Sequence, residues 1–193
     1  MDILEVAKKY RLIIWDFDGT IVNLCVDWKR LKKELMGMLI PYVQNMKNKD
    51  LSLNDLIYLL EQKFPRDTIF KIIEEYELKA EYFVNEISLR MIVNFYKLGL
   101  LQCILSDNTT KTIKTILNKL QILDFFDTII GKDSVKKFKP NPEGLRKILK
   151  YYNIDKSQIL YIGDSWKDEA VAHQEELNFL KLNEIDEKWI KNT

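Results

Sequence analysis

Five short runs of this chain are apolar on both faces: Leu12–Trp15, Leu101–Leu105, Thr128–Ile130, Ile159–Ile162 and Phe179–Leu182. A strand that borders water on one side alternates apolar with polar, whereas a strand that is apolar throughout has to be covered on both sides. Helix-length segments separate the runs. Thr110 to Leu120 places Ile113, Ile116, Leu117 and Leu120 on one helical face, and Asn141 to Tyr152 does the same with Leu145, Ile148, Leu149 and Tyr152. Pro142 suits a first helical turn, and Asp164 to Glu176 opens with acids, which favours a helix N-terminus. Strands alternating with helices predict an α/β fold with a three-layer, parallel-sheet core.

One stretch breaks the alternation. From about Val22 to about Phe83 no strand is predicted. Trp28, Leu31, Leu35 and Met38 repeat at helical spacing; so do Leu53, Leu56, Ile57 and Leu60 after a possible cap at Ser52. Ile69, Ile72, Ile73 and Tyr76 repeat again after Pro65 and a possible cap at Asp67. The expected organisation is a discontinuous core, residues 1–22 and 86–193, with a small all-α insert at 23–85. A helix at about Asn85 to Leu98 leads to Gly99 and the second strand.

The 193 residues suffice for one such core and insert. A formal net charge of +1 offers no argument for nucleic acid or an acidic membrane surface. Met1-Asp2-Ile3-Leu4-Glu5 carries acids where a signal peptide carries basic residues, and no run approaches the roughly 18 apolar residues of a membrane span. The chain is expected to be cytoplasmic, a monomer or weak homodimer, with no nucleic-acid or membrane partner. Its two cysteines make no disulfide framework: Cys103 reads as a small buried hydrophobe and Cys25 stays undetermined.

Chemistry concentrates at the ends of the predicted strands. Asp16-Phe17-Asp18-Gly19-Thr20 follows the first run directly. Two acids two residues apart, with a glycine next, can share one cation and leave one oxygen free to attack. That suits phosphoryl transfer through an aspartyl-phosphate. Ser106 ends the second run, Lys139 stands in Lys136-Lys137-Phe138-Lys139-Pro140-Asn141-Pro142, and Gly163-Asp164-Ser165-Trp166-Lys167-Asp168 follows the fourth. Each alone is ordinary, as a turn, a cap or a solvated charge. Together they matter because parallel strands bring their carboxyl ends to one crevice. A phosphate dianion approaching Asp16 is repelled unless positive charge intervenes. Two or three carboxylates can hold a Mg2+, and Lys139 supplies a second, compact cation.

Taken in order, Asp-x-Asp-Gly-Thr, Ser, Lys-Pro and Gly-Asp-x-x-x-Asp resemble the haloacid dehalogenase superfamily of phosphatases and phosphotransferases. The resemblance covers about residues 8–22 and 86–182 and is phosphoglycolate-phosphatase-like in flavour. It implies a Rossmann-like core, with the helical insert as an α-helical cap that would set substrate choice. It implies Asp16 as nucleophile and Asp18 as general acid then base, with the Asp18 carbonyl also on the metal. Ser106 would bind a phosphoryl oxygen, and Lys139 would steady both nucleophile and transferring charge. Asp164 would bind Mg2+ beside Asp16, with Asp168 supporting. Backbone N–H groups after Asp16 and at Asp107 would complete the phosphate cradle. The expected substrate is a small phosphorylated metabolite, cleaved as a phosphate monoester. The rivals are a phosphotransferase or phosphomutase on the same scaffold, and a non-catalytic binding protein that should have lost one of Asp16, Asp18, Lys139 or Asp164. Dehalogenase and phosphonatase chemistry fit less well, since Asp18 is present and no insert lysine stands out.

Several residues have two readings. Asp107 stands where the family often has an uncharged residue; it repels substrate unless it points away or pairs with a lysine, and a cap for the helix beginning near Thr109 is the plainer role. Asn108 is a second cap candidate or a polar contact to substrate. His173, the one histidine, lies well inside its helix by the sequence reading and is expected to have a structural or surface role rather than a catalytic one. The insert has no histidine, which weakens a mutase reading. Trp166 either lines the site mouth or packs on the core. Lys132, Lys136 and Lys137 are solvated charges or an anion-steering rim, and Phe64, Tyr76, Tyr82 and Phe83 are expected in the insert's core.

Overall fold

The computed structural model describes residues 3–42 and 51–184. Residues 1–2, 43–50 and 185–193, which include Met1 and Asp2 and part of the expected insert, lie outside that description. The chain folds as two compact units, one holding Met1–Leu24 and Tyr82–Thr193, the other Cys25–Glu81.

The first unit is built on a five-stranded sheet of β1 (Leu12–Trp15), β4 (Leu101–Leu105), β5 (Thr128–Ile130), β6 (Ile159–Gly163) and β7 (Asn178–Lys181). The spatial order is β5-β4-β1-β6-β7, and every pairing is parallel. All five predicted runs are strands, each within about a residue of its expected bounds. Double-sided burial is the reason the three central ones could be read: Leu12, Ile13, Ile14 and Trp15 of β1 have no exposed surface at all, whereas β5 and β7 at the sheet edges are part-exposed. Even the polar residues of the centre are partnered. Trp15 Nε1 donates to Gln102 Oε1 at 3.0 Å, and Gln102 Nε2 donates to the carbonyl of Ile92 at 3.0 Å.

Strand β1 lies between β4 and β6, so the chain leaves it to one side and later returns on the other. That reversal opens a crevice at the strands' carboxyl ends. Helices α1 (Ile3–Lys9), α5 (Glu86–Lys97), α6 (Thr110–Lys119), α7 (Glu143–Tyr152) and α8 (Trp166–Gln174) belong to this unit. Each of the last four begins or ends within about two residues of expectation. Helix α7 stops at Asn153, which takes the left-handed conformation at φ 47°.

The strandless reading of 22–83 needs correction at its two ends. Strands β2 (Val22–Leu24) and β3 (Tyr82–Val84) pair antiparallel as a small separate ribbon. Three residues are too few to carry a readable period of two, and Phe83 is 64% exposed, so the expected core aromatic sits on the ribbon's outer face. Among its described residues the second unit has only helices: α2 (Trp28–Leu39), α3 (Leu53–Leu60), α4 (Arg66–Lys79) and a short 3-10 turn at Ile40–Tyr42. Leu31, Leu35, Leu39, Leu56, Ile57, Leu60, Ile69 and Ile73 form its buried face. Ser52 caps α3 in a reciprocal capping box with Asp55. Asp67 is not a cap; α4 begins one residue earlier, behind Pro65. No helix among the described residues is long and apolar enough to cross a membrane.

Candidate active site

The loop after β1 turns within five residues. Phe17 O accepts the backbone N–H groups of Ile21 at 2.8 Å and Val22 at 3.1 Å, and Gly19 N–H donates to Val22 O at 2.7 Å. Gly19 makes the turn at φ 88°, a conformation other residues adopt only under strain. A Cβ there would also run into the Asp164 carboxylate. The loop is pinned from behind by Ser88, on α5, whose hydroxyl donates to Thr20 O at 2.7 Å.

Asp16 and Lys139 come together across 123 residues of sequence. Lys139 Nζ donates to Asp16 Oδ1 at 2.6 Å, to Asp168 Oδ1 at 2.5 Å and to the carbonyl of Leu105 at 3.4 Å. All three side chains are buried, Lys139 to 6% exposure. Oxygens of Asp16, Asp164 and Asp168 lie within 4.8 Å of one another. Asp18 is half-buried and receives the Leu24 N–H on Oδ1 at 2.8 Å. Asp164 is the most open of the four acids, and Thr20 Oγ1 donates to it at 3.4 Å.

The charges in this crevice are out of balance: four carboxylates face one ammonium. The titration shifts express the same imbalance. Burial pushes Asp16 up to about 8, against the pull of Lys139 and with the push of Asp168. Burial likewise raises Asp18 and Asp164. Asp168 goes the other way. Burial works against it, but Lys139 beside it and the donors on its oxygens hold its carboxyl below the ordinary range. Lys139 is held well above its usual value: burial opposes this, and the neighbouring acids, Asp16 first, overcome it. An all-oxygen donor set with surplus negative charge fits a hard divalent cation.

Ser106 lies at the end of β4, 3% exposed. Its hydroxyl donates to Asn108 Oδ1 at 3.0 Å and accepts the Asn108 N–H at 3.1 Å, a local turn that fixes the loop. Asp107 does not cap α6. Its Oδ1 accepts the backbone N–H of Lys139 at 3.2 Å, and its Oδ2 pairs with Lys167 at 3.4 Å. The Thr110 N–H is instead taken by Asp133 at 2.8 Å, an acid from the turn after β5. Asp107 therefore meets the lysine partner that its sign requires and ties the Lys139 loop to its neighbours.

Two residues in this assembly carry no sequence signal of function. Tyr161, a fully buried residue of β6, donates its hydroxyl to Asp168 Oδ1 at 3.0 Å. Ser88 reads simply as a helix residue. Only the period-2 position of Tyr161 two residues before Gly163 could have hinted at its place. Other expectations resolve plainly. Trp166 is 64% exposed and does not pack on the core. Lys132 is buried, with its ammonium 4.7 Å from the Phe138 ring centre, whereas Lys136 and Lys137 are solvated. His173 is exposed and stands next to last in α8 rather than well inside it. Cys103 is buried, and burial pushes its thiol up to about 12; Cys25 is exposed.

A family model for haloacid dehalogenase-like hydrolases matches residues 13–182. A pyrophosphatase, PpaX, of Listeria welshimeri is 38% identical over 76 residues, which is 38% of this chain and 32% of that protein. A phosphoglycolate phosphatase of Salmonella paratyphi A is 23% identical over 173 residues, 88% of this chain and 65% of that one. The chain thus spans about a third of the length of the first of these relatives and just under two thirds of the second. Among solved structures, a haloacid dehalogenase-like hydrolase from Bacteroides fragilis superposes with a TM-score of 0.63 at 22% identity, covering 95% of this chain and 93% of that one. CbbY from Rhodobacter sphaeroides, in complex with phosphate, superposes with a TM-score of 0.64 at 14% identity over 88% and 84% of the two chains.

Proposed function

Since the chain belongs to the haloacid dehalogenase-like hydrolase family, we propose that it is a Mg2+-dependent phosphatase that cleaves phosphate monoesters of a small metabolite through an aspartyl-phosphate on Asp16. The observation that carries this reading is the contact of Lys139 Nζ with Asp16 at 2.6 Å inside the cluster of Asp16, Asp164 and Asp168. An acid held beside a buried cation at a strand end is poised to attack phosphorus and short of positive charge only by what a metal brings.

Asp16, Asp164 and the carbonyl of Asp18 would hold Mg2+, which when bound compensates charge and orients the phosphoryl group. Asp16 forms the bond to phosphorus as the ester oxygen leaves. Asp18 gives that oxygen a proton, and burial raises its affinity for protons, the direction that a general acid requires. It then takes a proton from the water that cleaves the aspartyl-phosphate. Lys139 offsets charge on the transferring group, and Ser106 with the N–H groups of the β1 and β4 loops surrounds its oxygens. The helical unit Cys25–Glu81 is read as the cap that sets substrate choice.

The test is release of phosphate from a panel of small phosphate esters, with Mg2+ and with chelator. Metal-dependent turnover of at least one ester is expected, and its ranking across the panel identifies the substrate class. A metal-binding protein inert on every ester would shift the weight to phosphotransfer. A second outcome follows from the turn. Gly19→Ala adds about 1–2 kcal/mol of left-handed strain and displaces Asp164. Turnover is expected to fall by roughly 100-fold, as for misplacements near 1 Å, with a lowered Tm. Kinetics and melting of the variant check both, and wild-type behaviour would sink the role given to Gly19.

A further inference from the structure

We propose that Tyr161 is a positioning residue for Lys139, acting through Asp168, and that Asp168 is committed to this tether rather than to the metal. The inference rests on the reading of Lys139 as the cation of phosphoryl transfer.

A carboxylate offers about four lone-pair sites on its two oxygens. On Asp168 all four meet protein donors. Oδ1 receives Lys139 Nζ at 2.5 Å and the Tyr161 hydroxyl at 3.0 Å. Oδ2 receives the Ser165 N–H at 3.1 Å and the Ser165 hydroxyl. The Ser165 N–H bond is one half of the capping box of α8, so releasing Oδ2 would open that box. By distance alone Asp168 belongs with Asp16 and Asp164 as a possible ligand. Its donors decide against that: a metal at the roughly 2.0–2.1 Å of Mg2+ would have to evict one of them. Asp164 is the contrast, exposed and, among the described residues, bound by another side chain only through the long contact from Thr20.

Tyr161 completes a closed figure. Its hydroxyl and Lys139 Nζ both face the same two acceptors, Asp168 Oδ1 and the Leu105 carbonyl, the latter at 3.4 Å from each. The ring is fixed in β6 and packs edge-on against Phe179, with centres 6.1 Å apart at 86°. A rigid phenol thereby holds one oxygen of Asp168, and that oxygen holds the ammonium 2.6 Å from Asp16. A flexible lysine stem gains from such a tether because its charge acts only where it is placed.

The test compares Tyr161→Phe, Asp168→Asn and Asp164→Asn in the full chain by three readouts. The first is the Lys139 ammonium 1H–15N signal, assigned with Lys139→Arg and visible because the group is buried and held on three acceptors. The second is Mg2+ affinity by calorimetry. The third is steady-state hydrolysis of p-nitrophenyl phosphate. Tyr161→Phe is expected to lose or broaden the ammonium signal and to lower kcat about tenfold, with KM unchanged. Tyr161→Phe and Asp168→Asn leave the ligand oxygens in place and should cost at most about tenfold in Mg2+ affinity, while Asp164→Asn removes a ligand and should lose about a hundredfold or more. Mg2+ binding weakened as much by Asp168→Asn as by Asp164→Asn would overturn the proposal. So would a Tyr161→Phe protein with wild-type kcat and ammonium signal. If the wild type cleaves no ester, the phosphatase reading fails on its own, and the ammonium signal and the Mg2+ titration still decide the tether.

Discussion

Asp16→Asn is expected to remove phosphate release, by at least about 10⁴-fold in kcat, as nucleophile deletions do in acyl transfer. The substitution keeps shape and most contacts. An amide oxygen can still accept from Lys139, which retains Asp168 at 2.5 Å and the Leu105 carbonyl. What disappears is the ionised oxygen that forms the bond to phosphorus, and an amide cannot replace it. The fold should survive, because Asp16 is a stability burden: burial already resists its ionised form. Tm within a few degrees of wild type is therefore the companion expectation. Single-turnover phosphate release on a pure sample checks the first part, and a thermal melt the second. Turnover near wild type in a pure, folded Asp16→Asn protein would end the aspartyl-phosphate mechanism.

The sequence carried the sheet well for one physical reason. Leu12–Trp15 and Ile159–Gly163 are buried on both faces, so each residue is apolar and the run cannot be mistaken for a half-exposed strand or an amphipathic helix. The ribbon of β2 and β3 failed to register because Asn23 and Phe83 are exposed and three residues give no period. The acids and the lysine were legible through chain chemistry, since carboxylates directly after buried strands converge wherever those strands run parallel. The Lys-Pro resemblance alone set Lys139 apart from Lys136 and Lys137 and put it beside Asp16. Its second contact, with Asp168, was not legible, because it depends on the path of the loop after β5. Tyr161 was hidden by its own strand. A tyrosine among leucines and isoleucines counts as one more apolar residue until its hydroxyl is found on Asp168. Lys132 was misplaced for the converse reason, because a lysine in a basic stretch reads as solvated until its ammonium is seen over the Phe138 ring.

Removing Mg2+ is expected to abolish turnover as completely as removing Asp16, and the strength of Mg2+ binding should depend on pH in a defined direction. Without a metal, Asp16 titrates at about 8, and Asp18 and Asp164 are raised as well. A raised carboxyl favours the folded, protonated state. Its contribution to stability is whole below the ordinary carboxylate range near 4 and fades as pH climbs through about 8. Metal-free protein should thus lose stability from this group between those values. A cation binds the ionised acid, so at pH 6 it must first displace a proton from Asp16. Its apparent affinity then strengthens by up to about tenfold per pH unit and levels off above pH 8. At a fixed Mg2+ concentration, the metal should raise Tm more at pH 8 than at pH 6. Melting curves with Mg2+ and with chelator at both values, joined to phosphate release under the same conditions, check the sign. An equal or smaller Mg2+ shift at pH 8 would mean that Asp16 is already ionised without the metal. In that case Lys139, at 2.6 Å, rather than burial, would govern its charge.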